Sequence, residues 1–86
     1  MNTNFGMKEE ILNEVRRVFP DPEEEIVLKH LNSITLEHVM AGSQTNLDNT
    51  WSAIIKLSHG NLPELIRLTE CAKNDFRDVI YWASVE

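Results

Sequence analysis

Apolar residues recur at the helical period through nearly every long segment of this chain, and proline and glycine cut the pattern at intervals. That spacing narrows the possible folds more than any other feature. At about 100° per residue, Met7, Ile11, Leu12, Val15, Val18 and Phe19 gather on one side of a helix over 7–18. Glu9, Glu10, Asn13, Glu14, Arg16 and Arg17 fill the other side, and Glu14 and Arg17 are spaced to pair. Pro20 stops this helix. A second helix is expected over 22–33. Asp21 reads as its cap, Pro22 suits the first helical position, and Glu23–Glu25 complement the positive helix end. Val27, Leu28, Leu31 and Ile34 form its apolar arc.

The pattern weakens over 34–47. Ile34, Leu36, Val39 and Met40 allow a short helix started by Thr35, and residues 41–46 read as a loop. A third long helix is predicted over 48–59, capped by Asp48 and stopped by Gly60, with Leu47, Trp51, Ile54, Ile55 and Leu57 on one arc. Asn61 caps a fourth, and Glu64 three residues on resembles a capping box. Its arc, Leu62, Leu65, Ile66, Leu68 and Ala72, runs to about residue 73. Phe76, Val79, Ile80 and Ala83 align a last helix over 75–84, capped by Asn74 or Asp75, or else a continuation of the fourth through a bend. No segment shows strand alternation, and no internal repeat occurs. The expected fold is all-α, a compact bundle of roughly four to five short helices over 7–86 behind a flexible tail at 1–6.

Length and charge narrow the functions. A chain of 86 residues makes one domain. Folding can bury something over 60% of its surface, enough for one thin core but not for a deep pocket beside it. The net charge is −6, and the eight Lys and Arg residues are scattered, with Arg16-Arg17 their only adjacent pair. Polyanion binding needs clustered cations that displace counterions, so neither nucleic acid nor an anionic membrane is an expected partner. The runs Ile26–Leu28 and Val79–Trp82 are too short to span a bilayer. Residues Met1–Met7 lack the basic and apolar regions of a secretory signal, so a cytoplasmic protein is expected. The single cysteine, Cys71, cannot form an internal disulfide. It falls at the edge of its helix's apolar arc and reads as a structural thiol beside Glu70.

Two segments resemble a family. Ile54-Ile55-Lys56-Leu57-Ser58-His59-Gly60-Asn61-Leu62 and Ala72-Lys73-Asn74-Asp75-Phe76-Arg77-Asp78-Val79-Ile80-Tyr81-Trp82-Ala83 are similar to the "ILKLSxGDL" and "AKxDYRDVLxWAE" segments of a family of small bacterial helical proteins with no assigned activity. Asn61 stands at the acidic position, Phe76 at the tyrosine and Ser84 at the closing glutamate. The likeness covers little more than a third of the chain, and residues 35–50 depart from it. It implies a small helical bacterial protein and carries over no functional residue.

No chemical motif stands out. His30, His38 and His59 lack the helical spacing that lets two ligands share a face, so neither a metal site nor any other cofactor is expected. His30 reads as a half-buried edge residue, and His59 as a cation at a helix end. Neither GxxxxGK[ST] nor GxGxxG occurs. Ser58 and His59 are adjacent, but neighbours on a helix point to different faces. Trp51 is central in its arc and belongs to the core. Trp82 lies about 60° off the arc of its helix and reads as a core-edge residue, with an exposed anchor as the alternative.

The candidate site is the outer face of the last helix. There Arg77, Asp78 and Tyr81 are helical neighbours, and Lys73 joins them if the helix is continuous. The expected function is a non-catalytic protein-binding module, an adaptor, regulator or inhibitor. Its partner is another protein, or a second copy in a homodimer; a self-associating structural protein is the second reading, and a small enzyme the third.

Overall fold

A computed structural model describes residues 7–86; the tail expected over 1–6 lies outside the described residues. The described chain is all-α, with α1 Glu9–Val18, α2 Glu23–Asn32, α3 Gln44–Ser58 and α4 Leu62–Val85. Short 3-10 turns at Leu36–His38 and Met40–Gly42 fill the segment between α2 and α3. No helix among the described residues is long and apolar enough to cross a membrane.

The predicted apolar arcs form one core. Ile11, Leu12, Val15 and Phe19 of the first segment meet Val27, Leu31 and Ile34 of the second. Leu47, Trp51, Ile54 and Ile55 of α3 join Leu65, Leu68, Ala72, Phe76, Val79 and Ala83 of α4 in the same core, in which α1 packs on α3 and α2 packs on α4. Trp51 is 1% exposed, and its indole nitrogen donates to the Leu31 carbonyl at 2.8 Å. That bond ties the last turn of α2 to the middle of α3 and pairs the buried indole donor. Thr50, Ser58 and Thr69 are also buried, and each hydroxyl donates to a carbonyl on its own helix.

Helix starts differ from expectation where a neighbouring turn supplies the hydrogen bond. Asp21 does not cap α2. Pro22 is the boundary residue, and the Glu23 N–H donates to the Pro20 carbonyl instead. Thr35 does start a short turn: its hydroxyl accepts from the Glu37 N–H, and His38 Nδ1 accepts from the Thr35 N–H at 3.0 Å. The α3 helix begins at Gln44 rather than 48. Ser43 caps it, accepting from the Asn46 N–H at 3.1 Å, while the Asp48 carboxylate takes the Gln44 amide and faces Lys8. Asn61 caps α4 as expected, at 2.9 Å from the Glu64 nitrogen. Glu64 does not close a box, because its carboxylate is bound by Arg67.

His59 and Gly60 both have positive φ, 50° and 77°, and together end α3. A β-carbon on Gly60 would lie 3.7 Å from the Val18 carbonyl oxygen, so the end of α1 packs closely beside this turn.

Replacing Trp51 by alanine is expected to cost roughly 3–5 kcal/mol, because it empties a large buried site and removes the indole's bond to Leu31. Urea denaturation of the variant checks this; an unchanged midpoint would place Trp51 outside the core.

Candidate functional site

The geometry of α4 defines the candidate site. Its 24 residues would span roughly 36 Å as a straight helix. They do not run straight. Asp75 has φ −157° and ψ 99°, outside the helical region, and the chain turns back there. Both ends of α4 reach the same end of α3. Leu62 follows the His59–Gly60 turn directly, and Glu86, just past the far end, contacts His59 with Oε1 3.0 Å from Nε2. Lys56 Nζ donates to the Ala83 carbonyl at 2.9 Å. The sequence left open whether one bent helix or two would form. The outcome is two helical halves joined at a single extended residue, which acts as the cap for the second. The Asp75 carboxylate accepts the Arg77 backbone N–H at 3.1 Å and the Arg77 guanidinium at 3.0 and 3.1 Å.

The predicted site residues divide at this reversal. Arg77, Asp78 and Tyr81 are exposed on the returning half, opposite Phe76, Val79 and Ala83. Lys73 lies before the break, is half-buried and pairs with Glu70 at 3.4 Å, so it does not extend the patch along a continuous face. Arg77 is engaged by Asp75, a partner that spacing alone did not indicate. Its side chain spends two kinds of nitrogen, Nε and Nη2, on that carboxylate. Two further residues belong to this end of α4. Trp82 is 38% exposed and Val85 64%, beside Tyr81 at 63%. The off-arc position of Trp82 was the available signal for it; Val85 gave none, since a lone valine near a chain end has no period to read.

A shallow open groove of about 280 Å³ runs between α3 and the returning half. Ala53, Ile80 and Ala83 give it apolar walls, and Asn49, Ser52, Lys56 and Ser84 complete its lining. Among the described residues Lys56 is the only charged one in its lining.

Other candidate chemistry is accounted for by local bonds. The Ser58 hydroxyl is buried and donates to the Ile55 carbonyl, and His59 turns to Glu86, so the adjacent pair forms no nucleophile and base. His38 serves the turn at Thr35. Cys71 is half-buried against the core, with an Arg67 nitrogen 3.8 Å from its sulfur. Among the described residues no group of three or more His, Cys, Asp or Glu is placed to hold a metal ion. No protein-family model, no curated protein and no solved structure matches the chain.

The Asp75 carboxyl is held below the usual aspartate range by the Arg77 guanidinium and by the Arg77 backbone N–H. Its contribution is therefore fully present above the ordinary aspartate value of about 3.9 and is lost as pH falls through the lowered value. The thermal midpoints of the protein and of an Asp75→Asn variant are expected to differ by a constant amount above about pH 5 and to converge below the usual aspartate range. A gap that does not narrow in acid would mean that the ionised carboxylate does not hold the reversal.

Proposed function

We propose that this chain is a cytoplasmic, non-catalytic protein-binding module that uses the end of α4. The observation that supports this reading is the clustering of Tyr81, Trp82 and Val85, all exposed, within five residues of one helix end. A single exposed apolar side chain is ordinary, but aromatic groups collected at one spot mark interaction sites. Tyrosine, tryptophan and arginine dominate interface hot spots, and Arg77 lies one turn before Tyr81. The groove beside them is shallow and nearly free of charge, which suits a protein surface better than a small substrate. The likeness of residues 54–62 and 72–83 to the small bacterial family adds no residue role to this reading.

The test is comparative capture from native cytosol at low salt. Tyr81→Ala is expected to change folding stability by no more than about 0.5 kcal/mol, as a surface substitution does. It is also expected to weaken retention of the specific partner by roughly tenfold or more. Arg77→Ala serves as the contrasting variant, since it also frees Asp75 and shifts stability in addition to retention. A partner held equally by the protein and by both the Tyr81→Ala and Trp82→Ala variants would remove the binding site from this face.

A further inference from the structure

We infer that the returning half of α4 exchanges between two copies of this chain, giving a swapped dimer that opens at Asp75. The reversal rests on that one residue. The residues on both sides are helical, and no glycine or proline occurs anywhere in 64–86 to fix a turn or forbid a helix. If Asp75 adopts helical angles, Leu62–Val85 becomes one straight helix, and Phe76, Val79 and Ala83 leave their own α3. Those side chains, buried here, cannot stay in water. The same half from a second copy satisfies the vacated surface with identical groups: the three apolar side chains, the Ala83 carbonyl for Lys56 and Glu86 for His59. Every contact of the closed form is thus rebuilt between chains, and only the hinge differs. Burial of the returning half and its Lys56 and His59 contacts are the same in both forms, so at the hinge only the Asp75–Arg77 pair favours the closed one, and it lies at the surface, where ion pairs contribute little. The inference stands apart from the protein-binding reading, because it concerns the inner face of the returning half, not the outer one.

Helix propensity at position 75 provides the test. Alanine favours the continuous helix and glycine opposes it, twice per dimer. The protein, Asp75→Ala and Asp75→Gly are each unfolded, refolded at about millimolar concentration and sized by light scattering after gel filtration. The expected result is a dimer in Asp75→Ala whose dissociation constant is lower than that of Asp75→Gly by roughly tenfold or more. To identify exchange, Ala53→Cys and Ala83→Cys are placed on separate chains in a Cys71→Ser background and refolded together, with and without Asp75→Ala. Both positions are buried between α3 and the returning half, so a short thiol cross-linker joins the two chains only when α4 of one packs on α3 of the other. A monomeric Asp75→Ala variant at millimolar concentration overturns the inference. So does equal dimerisation of the alanine and glycine variants, or a dimer in which the two chains do not cross-link.

Discussion

The hydrogen bond from the Trp51 indole to the Leu31 carbonyl is the contact on which the rest of the packing depends. An indole is the largest apolar group this thin core holds, and it brings a donor that cannot be buried alone. The carbonyl that receives it belongs to the last turn of α2, where it also accepts the Ile34 N–H at 3.0 Å and offers the indole its second lone pair. Satisfying one group therefore fixes the other: α2 must end against the middle of α3. Along its length α3 packs on α4 and α1, while α2 rests chiefly on α4 and reaches α3 at this bond. The core closes around Trp51, with Ile54 and Ile55 at its centre.

The second constraint is the length of α4. A continuous helix of that length cannot keep its second half on α3, so the chain has to reverse or leave Phe76, Val79 and Ala83 uncovered. Asp75 makes the reversal without glycine. As a short acid it caps the helix that follows, and it draws Arg77 into the same bond set. Lys56 and His59 then fasten the returning half near its end, one through a carbonyl and one through Glu86. The consequence for function is positional. The returning half turns Tyr81, Trp82 and Val85 outward and leaves a charge-poor groove on its flank, so the candidate surface is a product of the reversal.

Much of the architecture was legible because it depends on local physics. Helical period located all four helices, and the side chains placed on their inner arcs are largely the ones that are buried. Asn61 and Thr35 were readable as caps because each acts within three residues of itself. Cap assignments failed where two local candidates competed. Asp48 and Ser43 both suit a helix start. Ser43 prevails because the helix can extend one turn back toward the Met40–Gly42 turn, which leaves Asp48 as an inner residue facing Lys8. Asp21 lost to the Pro20 carbonyl for a similar reason. At the candidate site, exposure of Arg77, Asp78 and Tyr81 followed from their distance around the helix from Phe76 and Val79. The pairing of Arg77 with Asp75 did not, since residues two apart meet only when the helix between them is broken.

The sequence by itself determined the apolar faces, their period, and where Pro20 and Gly60 interrupt them; these depend on neighbours along the chain. Only the tertiary structure decided that α4 folds back at Asp75, that Trp51 finds its acceptor on α2, and that Lys73 is separated from Arg77. Each of these joins groups distant along the chain or selects one of two backbone states of nearly equal local merit. At Asp75 helical and extended angles are both open to an aspartate, and the burial of Phe76, Val79 and Ala83 on α3, a property of the whole fold, selects the extended one.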